Sequence, residues 1–528
     1  MQLLTLLEHC GQLLSIIDKS SLPGDRLTSE YLRSKKYIGS KERRFIVDTV
    51  FSTLRNIILI KKLLNDAIIE GEVDFTEKLK FRNTNNKNNI FSLYAAIQII
   101  LVIEFPEEYS YFSPYILLKK INQSYNNIKS SLIKEFELLG IEQLIIKSFI
   151  ELISIIAKRL FNNCRTIESL MLRYSFPLEF IEQLHLSELL DIESCGHKNL
   201  EISNLENNTI IGKDTINSEF SNTLFNNFFH FAKEFNKPAP ICIRVNSITS
   251  TREKTIKWLE AAGVNCNLGK LSPSCIVIPQ RVQLTEFMEY KRGEFEIQEE
   301  ASQLVAYALN PQKNALVLDA CAGAGGKSLH IADLQEDKGT IIANDIEFMR
   351  LKEIDKRAKR AGIKSIEAVM LKKDFYFYNI NNKNKSKSNK KIESINYKDK
   401  FDYVLIDAPC SGSGTIRREP LKKYRINKKL INKIADKQLE ILSNFAKYVR
   451  PNGYLVYSTC SIFPKENEEV LKKFLLKNTN FVPEPLKPNF LQYNIDIKNL
   501  ADDAFYLTLY PFVYNTDGFF ISKIRRLN

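Results

Sequence analysis

From Phe295 to the end of the chain, short apolar runs alternate with segments of helical character. Five runs have the composition of strands, namely 315–320, 339–345, 366–370, 401–407 and 454–459. The clearest helices between them are 349–362 and 429–449. Because this alternation is typical of βαβ units, it predicts an α/β domain with a doubly wound parallel sheet. Residues 505–512 and 518–525 are candidates for a closing antiparallel pair.

The chain before this domain divides into three segments. Apolar residues keep helical spacing from 1 to 160, which predicts an all-helical domain. Residues 161–237 are expected to form a helical connector with a polar break. Residues 238–294 change to a strand, helix, strand pattern and predict a small α+β subdomain. Within the last domain, 295–528, the Lys- and Asn-rich stretch 379–400 is typical of a low-complexity insert.

The composition is that of an ordinary globular protein, with 44% apolar and 26% charged residues. We find no uncharged apolar run of the roughly 18 residues that a membrane span needs, and we expect no export signal. The nine cysteines form no CxxC pair. This argues against a zinc site or a disulfide framework, so we expect no metal, no membrane partner, and reduced thiols in a cytoplasm.

The formal charge of +13 suggests a polyanionic partner. Part of this charge lies in the insert at 379–400. A second cluster, residues 417–437, holds nine basic residues against Glu419 and Asp436. It follows closely on a cysteine motif described below and is the better candidate for a track of phosphate contacts. A solvated charged surface is the alternative explanation.

A glycine-rich turn follows the first predicted strand, with the sequence Asp319-Ala320-Cys321-Ala322-Gly323-Ala324-Gly325-Gly326-Lys327-Ser328. Glycines let the backbone approach a ligand, and the following helix start offers free amide groups. A phosphate-binding P-loop is excluded because Cys321 occupies the position of its first glycine. The dinucleotide-binding fingerprint G-x-G-x-x-G is not complete either, since Ser328 occupies the position of its last glycine. A nucleoside-binding loop remains, with Asp345 placed to bind a ribose diol and Asp374 to reach an adenine amino group. S-adenosylmethionine carries an adenosine without phosphates and fits this site.

Two cysteines follow the ends of other predicted strands. Cys410 stands in Asp407-Ala408-Pro409-Cys410, and Cys460 stands in Ser458-Thr459-Cys460-Ser461. The carboxyl ends of parallel strands meet at one edge of a sheet, which is where ligands bind in such folds. We therefore expect both thiols at that edge. For either cysteine alone, a buried and inert side chain is the alternative.

Three segments in this order, Asp319–Ser328, Asp407–Gly414 and Ser458–Ser461, resemble the RNA cytosine-5 methyltransferases of the RsmB/NOP2/NSUN family. The likeness extends from about Pro238 to Arg526, and it makes 238–294 similar to the family's RNA-recognition-like subdomain. The chain departs from the family where Ala322–Lys327 replaces the common Ala-Ala-Pro-Gly-Gly-Lys.

The front of the chain carries a second, shorter resemblance. The run from Lys36 to Ile46, followed by Thr53-Leu54-Arg55, is similar to the NusB-like helical domain of the bacterial RsmB-like members.

The resemblance implies a Rossmann-like class I methyltransferase domain, S-adenosylmethionine as cofactor, and methylation of cytosine C5 in RNA, with 16S-type ribosomal RNA as the expected substrate. It makes Cys460 the nucleophile that adds to cytosine C6 and Cys410 the residue that assists release. It also implies that Asp407 holds the edge of the target base and contacts the cofactor, and that Lys327 lies near the cofactor and the target. DNA cytosine methyltransferases attack from a Pro-Cys motif, so exchanged cysteine roles stay open. Transfer RNA as substrate and a non-catalytic RNA-binding assembly factor are the alternative functions.

A target base must leave any helix to meet both thiols, so unpaired or flipped RNA is the expected substrate. We expect the flanking phosphates to be bound by cations of the basic cluster, namely Arg417, Arg418, Lys422, Lys423 and Arg425. The expected active form is a monomer.

Overall fold

The computed structural model describes residues 3–20, 22–71, 86–109, 133, 143–184, 222–279, 281–371, 377–379 and 398–528. These residues form two compact units. The helical unit contains the described residues of Met1–Ile181, Ile211–Pro238 and Ile416–Arg425. The sheet unit contains those of Glu182–Ile210, Ala239–Thr415 and Ile426–Asn528. Asp374 and residues 380–397 of the predicted insert lie outside the described residues.

The helical unit is built from the helices α1 (Leu3–Lys19), α2 (Gly24–Ser34), α3 (Ser40–Arg55), α4 (Ile57–Gly71), α5 (Asn86–Glu104), α6 (Gln143–Asn162), α7 (Ile167–Arg173), α8 (Leu178–Ile181) and α9 (Asn222–Phe235). The apolar positions that predicted these helices form one core, in which Leu14, Ile17, Ile46 and Val50 are at most 1% exposed. The prediction of a helical front region is therefore confirmed over its described residues. None of the helices in the described part of the chain is long and apolar enough to cross a membrane.

The helical unit also contains residues that the sequence placed elsewhere. The described residues of 161–181 and 211–237 in the predicted connector belong to the same unit as the front helices, and so does Ile416–Arg425 from within the predicted methyltransferase domain. The physical reason is Lys423, whose buried ammonium group donates to Arg55 O at 2.7 Å and to Tyr174 O at 2.9 Å. The predicted boundaries at 160 and 295 therefore do not coincide with the two units, whereas the boundary at 237 lies within one residue of the division between Pro238 and Ala239.

The sheet unit contains a nine-stranded sheet made of β5 (Leu316–Asp319), β6 (Thr340–Asn344), β7 (Ile366–Leu371), β8 (Phe377–Asn379), β9 (Phe401–Asp407), β10 (Val449–Thr459), β11 (Phe481–Pro483), β12 (Tyr506–Leu509) and β13 (Phe519–Arg526). The strand order is β11-β13-β10-β9-β5-β6-β7-β8, with β12 paired to β13. The five central strands, β10, β9, β5, β6 and β7, are parallel. All five predicted strands are confirmed, and β12 and β13 form the expected antiparallel pair.

A smaller antiparallel sheet precedes the large one, with the order β2-β3-β1-β4. Its strands are β1 (Ile241–Val245), β2 (Asn267–Leu268), β3 (Cys275–Ile278) and β4 (Phe295–Ile297). The predicted strands β1 and β3 are confirmed, as is the helix α10 (Arg252–Ala261) between them. Sequence reasoning missed β2 and β4, because two or three residues are too few to show an alternating pattern.

Helices cover the large sheet. They are α12 (Glu300–Leu309), α13 (Gly326–Leu334), α14 (Phe348–Ala361), α15 (Lys428–Phe445), α16 (Glu468–Lys477), α17 (Lys487–Leu491) and α18 (Pro511–Tyr514). The short helix α11 (Met288–Lys291) contacts β4 of the small sheet. Val317, Leu318, Val404 and Leu405 point alternately to the two faces of the central strands, and all four are 0% exposed. Because both faces are covered, these strands are apolar throughout, as is typical of a doubly wound parallel sheet.

Candidate active site

The two cysteines lie together at the carboxyl edge of the large sheet. Asp407, the last residue of β9, is in register with Ser458 of the parallel strand β10. Cys410 follows β9 by three residues, and Cys460 follows β10 directly. Their sulfur atoms are 3.2 Å apart. The prediction that both thiols meet at one sheet edge is therefore confirmed.

Backbone hydrogen bonds join the two cysteine loops. Ala408 N donates to Ser458 O at 2.8 Å, and Gly414 N donates to Cys460 O at 2.9 Å. Ile462 N donates to Ser413 Oγ at 2.9 Å. The loop that carries Cys410 is thus tied to the loop that carries Cys460 on both sides of the thiol.

Glu466, which sequence reasoning missed, is buried beneath the two loops at 0% exposure. Its Oε2 accepts hydrogen bonds from Ser411 Oγ at 2.5 Å and Ser461 Oγ at 2.6 Å. Its Oε1 accepts from Ser411 N at 2.8 Å. Burial raises the pKa of this carboxyl group, and the two serine hydroxyls oppose that shift. A lone glutamate after a proline turn gives no sequence signal that would have revealed this site.

The thiol of Cys410 is held in its protonated form. Its hydrogen bond with Cys460 is the largest cause that raises its pKa, and burial and the Glu466 charge act in the same direction. Since the thiolate is the nucleophilic form of cysteine, a deprotonated sulfur at this site needs a change in its surroundings.

Lys327 and Asp407 form an ion pair next to the thiol loops. Lys327 Nζ lies 2.6 Å from Asp407 Oδ2, with the lysine side chain 11% and the aspartate side chain 30% exposed. The other carboxylate oxygen, Oδ1, accepts from Ser458 Oγ at 3.1 Å. The ammonium group also lies 5.1 Å from the ring centroid of Phe519. Three separate chain segments thus fix the pair, as expected for residues that bind a polar ligand in a defined orientation.

The glycine-rich turn leads from β5 into α13 and contacts the end of β6. Gly325 caps the helix in the left-handed region with φ of +84°, a conformation that favours glycine. Gly323 N donates to Asp345 Oδ2 at 2.9 Å. A side chain built at Gly323 would meet no atom within 4 Å, so open space adjoins this part of the turn. Asp345 is therefore bound to the turn that the sequence predicted as its neighbour.

Two further residues of this turn are Asp319, which is buried, and Cys321, which is half-buried. Asp319 is 0% exposed and accepts from Ser328 Oγ at 2.6 Å. Burial is the main cause that raises its pKa to about 7. Burial also raises the pKa of the Cys321 thiol, so Cys321 is not an activated nucleophile. Its place in the turn is compatible with a backbone contact to a ligand.

Arg357 is a second residue that sequence reasoning missed. From α14 it donates to the carbonyl oxygen of Ala324 at 2.7 Å, and it forms an ion pair with Glu296 of β4 at 2.8 Å. Glu296 is 1% exposed. The small sheet thus supports the glycine-rich turn through one guanidinium group.

The structure corrects the predicted set of phosphate-binding cations. Lys423 is 1% and Arg417 is 3% exposed. Each donates to a carbonyl oxygen within the helical unit, Lys423 to Arg55 O and Arg417 to Pro238 O at 3.4 Å. Side chains so deeply buried cannot bind the phosphates of an RNA, so these two residues stabilise the fold. Arg418 and Lys422 are half-buried and Arg425 is exposed, with Lys422 paired to Glu419 at 2.9 Å.

The turn and its neighbours fit S-adenosylmethionine better than a phosphorylated nucleotide. Gly323 faces open space, and Asp345 places a carboxylate at the end of β6, which suits a ribose diol. Lys327, the cation next to this turn, is already paired with Asp407. Within the described residues, no group of three or more histidine, cysteine or acidic side chains is arranged to hold a metal ion.

Family comparisons match this part of the chain. Residues 306–525 match the family model of the 16S rRNA methyltransferase RsmB/F, and residues 226–285 match the ferredoxin-like domain of RsmF/B-like methyltransferases. The ferredoxin-like match covers most of the small sheet, which the sequence had predicted as an RNA-recognition-like subdomain.

Curated relatives agree with the family models. The chain is 33% identical to the probable ribosomal RNA small subunit methyltransferase B of Bacillus subtilis over 290 residues, which cover 55% of this chain and 60% of that protein. It is 34% identical to the 28S rRNA (cytosine-C(5))-methyltransferase of Mus musculus over 304 residues, covering 55% of this chain and 36% of the mouse protein. The matches thus span less than two thirds of either relative.

Among solved structures, the crystal structure of PH0851 matches with a TM-score of 0.62 and 22% identity, and it covers 100% of this chain and 99% of that one. At this identity the likeness shows the fold alone. It supports a class I methyltransferase fold with a mixed central sheet. The NusB-like character of the front helices stays a prediction. In residues 226–285 and 306–525, the chain is thus similar to the RsmB/F family of S-adenosylmethionine-dependent methyltransferases.

Proposed function

We propose that this protein methylates C5 of cytosine in ribosomal RNA of the small subunit, with S-adenosylmethionine as methyl donor. The observation that carries the proposal is the pair of thiols, 3.2 Å apart, at the sheet edge that also holds the Lys327–Asp407 pair. Two thiols that meet one base suit a reaction with a covalent attachment and a separate release. The family models and the named ribosomal RNA methyltransferases support the same reaction.

Cytosine C5 is too weak a nucleophile to be methylated directly. We assign the attack to the Cys460 sulfur, which as thiolate forms a bond to C6 and makes C5 electron-rich. S-adenosylmethionine, when bound, supplies an electrophilic methyl group for C5. After methyl transfer, C5 loses its proton, the bond from C6 to sulfur breaks, and the aromatic ring is restored.

We assign assistance in this release step to Cys410. Its sulfur lies within hydrogen-bonding distance of the Cys460 sulfur, so both thiols can reach neighbouring atoms of one base. Its raised pKa keeps it protonated before the base binds. Exchanged roles for the two cysteines are the competing assignment.

Asp407 and Lys327 are proposed to orient the base. A carboxylate can accept a hydrogen bond from the exocyclic amino group of cytosine, and the Lys327 ammonium group, 2.6 Å from Oδ2, helps to fix its position. Ser458 donates to the other oxygen and fixes the plane of the carboxylate. The pair thereby selects cytosine over uracil, which carries a carbonyl group at that position.

The cofactor is proposed to lie against the glycine-rich turn, with Asp345 as partner of the ribose. The remaining residues of the proposed cofactor set are Cys321, Ala322, Gly323, Ala324, Gly325, Gly326, Lys327, Asp374 and Asp407. The open space at Gly323 supports this placement. Arg357, which binds the carbonyl of Ala324, joins the set as a support of the turn.

The helical unit is proposed to be a NusB-like RNA-binding domain. The resemblance of residues 36–55 supports this assignment, and Lys41 and Arg44 are exposed cations within that segment. Arg418, Lys422 and Arg425 stay as proposed phosphate contacts. The enzyme is further proposed to act as a monomer in the cytoplasm.

The direct test is methylation in vitro. Purified protein and S-adenosylmethionine with a labelled methyl group are incubated with protein-free 16S-type RNA, 23S-type RNA and transfer RNA, followed by bisulfite sequencing. The proposal predicts label at a cytosine of the 16S-type RNA, and no label with the Cys460→Ala variant. Label in transfer RNA alone would support the alternative substrate. Absence of label from every RNA, with S-adenosylmethionine bound to the protein, would contradict the proposal.

A further inference from the structure

The two cysteine loops share one chemical detail. A serine follows each cysteine directly, Ser411 after Cys410 and Ser461 after Cys460. Both serine hydroxyls donate to the same oxygen, Oε2 of Glu466, at 2.5 and 2.6 Å. The hydroxyl oxygens themselves lie 3.5 Å apart. One carboxylate oxygen therefore fixes the residue next to each thiol.

The second carboxylate oxygen is also saturated. Oε1 accepts from Ser411 N at 2.8 Å and from Gln438 Nε2 at 3.2 Å. Gln438, from α15, also donates to Pro409 O at 3.0 Å, on the other side of Cys410. An ionised carboxylate accepts at both oxygens and so receives all four of these hydrogen bonds. A carboxamide accepts at one oxygen only and turns an NH2 group toward the other pair, so the two serine hydroxyls would have to change from donors to acceptors. Glutamine at this position therefore alters the hydrogen bonds to the residues that follow the two cysteines.

Glu466 binds the centre of the Cys410 loop, where no backbone hydrogen bond joins the two cysteine loops. The interloop backbone bonds join Ala408 and Gly414, which flank the loop. Between them, Pro409 has no N–H group and Ser411 is bound by Glu466 through both its amide and its hydroxyl group. Loss of Glu466 therefore leaves the ends of the loop in place and releases its centre, where Cys410 lies.

We propose that Glu466 is a positioning residue that sets the separation of the Cys410 and Cys460 sulfur atoms. It touches neither base nor cofactor in this assignment, and it acts through Ser411 and Ser461. The inference rests on the methyl transfer proposed above, in which both sulfurs must reach one cytosine. Misplacement of a reacting group by about 1 Å is enough to cost about 100-fold in rate.

The first test measures the sulfur positions without any activity. In glutathione redox buffers, the equilibrium between the reduced protein and its Cys410–Cys460 disulfide gives the effective concentration of one thiol for the other. We expect Glu466→Gln to lower that concentration by about tenfold, because the centre of the loop is released. Glu469→Gln is the matched control, since Glu469 is a nearby carboxylate that pairs with Lys465 at 2.8 Å. The control is expected to keep the wild-type value.

The second test measures catalysis. For Glu466→Gln we expect kcat to fall by about 10- to 100-fold, while KM for S-adenosylmethionine and for RNA stays within about twofold. Ser411→Ala removes a single hydroxyl group and is expected to change both readouts in the same direction by a smaller factor. It serves as the test if Glu466→Gln does not fold.

The outcomes separate this inference from the proposed function. Unchanged effective concentration and unchanged kcat in a folded Glu466→Gln or Ser411→Ala protein would overturn the positioning assignment. A rise of both KM values with unchanged kcat would also overturn it, since that pattern marks lost binding. If wild-type protein methylates no RNA, the proposed function fails, and the glutathione measurement still decides whether Glu466 sets the sulfur separation.

Discussion

Two buried charged side chains, Glu466 in the sheet unit and Lys423 in the helical unit, are held in the same way and serve different ends. Glu466 is 0% and Lys423 1% exposed, and the partners of both are neutral groups. Glu466 binds serines that adjoin two reactive thiols. Lys423 binds carbonyl oxygens where α3 and α7 end, together with Asn236 Oδ1 at 2.9 Å. The role of a buried charged side chain can thus be inferred from the residues that adjoin its hydrogen-bond partners.

The two groups also respond to burial in opposite directions. Burial raises the pKa of Glu466, and burial with the neighbouring Arg55 guanidinium lowers the pKa of Lys423. Lys423 gains from its place at helix ends, since cations are stabilised at helix C-termini. Its contacts stabilise the helical unit, so its removal should affect folding, whereas removal of Glu466 should affect the reaction.

The largest expected effect comes from Lys423→Met. The change removes a charged donor from three buried oxygens, of which Arg55 O also accepts from the Tyr424 hydroxyl at 3.0 Å, so we expect the free energy of unfolding to fall by about 3 to 5 kcal/mol. The kcat of the folded fraction should stay within about twofold of wild type. Denaturant unfolding and single-turnover methyl transfer on the same samples measure both quantities.

Lys422→Met is the control for that variant. Lys422 is half-buried and pairs with Glu419 near the surface, so its loss should cost at most about 1 kcal/mol. Equal destabilisation by the two variants would contradict a special role of Lys423 in folding. A loss of kcat in Lys423→Met comparable with that of Glu466→Gln would contradict the separation of the two roles.

A smaller effect is expected from pH at Asp319, a buried carboxyl group that accepts a hydrogen bond from Ser328 Oγ. Its pKa of about 7 exceeds the unfolded value of about 3.9, so the folded protein binds the extra proton between these values. The stabilisation from this group is complete below about pH 4 and is lost as the pH rises to about 7. Relative to Asp319→Asn, wild type should lose on the order of 3 kcal/mol across that range. Parallel stability curves for the two proteins would contradict the raised pKa.

The smallest effect is expected at the exposed cations of the 416–425 segment. Arg425→Ala should weaken RNA binding by about fivefold or less and reduce the salt dependence of binding by about one phosphate contact. Lys423→Met should leave the salt dependence unchanged, because its ammonium group is buried. Salt titrations of RNA affinity distinguish the two, and an equal loss of salt dependence would place Lys423 at the RNA surface.

The main sheet could be predicted from sequence because its strands are covered on both faces and therefore apolar throughout. The glycine-rich turn and both cysteine motifs follow strand ends, so topology alone placed Cys410, Cys460 and Asp345 at one edge. These inferences depend on patterns that are local in sequence, namely the composition of each strand and the turn that follows it. The resemblance to the family placed Lys327 and Asp407 in the site, and their contact across 80 residues of chain was found only in the structure.

The failures share a physical cause. A run of charges indicates solvent exposure on average, but Lys423 and Arg417 find their partners in segments about 180 to 370 residues away, which no local pattern reveals. Glu466 was missed for the same reason, since its importance depends on Ser411, 55 residues earlier. Buried polar networks are set by tertiary structure, and sequence spacing does not disclose them.

The most direct test of the central claim is to follow covalent RNA adducts in Cys410→Ala and Cys460→Ala. Each variant is incubated with 16S-type RNA and S-adenosylmethionine, denatured, and examined by gel electrophoresis and intact mass. The account predicts a stable protein–RNA adduct that carries the methyl group in Cys410→Ala, and neither adduct nor methyl transfer in Cys460→Ala. An adduct in Cys460→Ala alone would exchange the two roles. Release of free methylated RNA by either variant at the wild-type rate would contradict a reaction that needs both sulfur atoms.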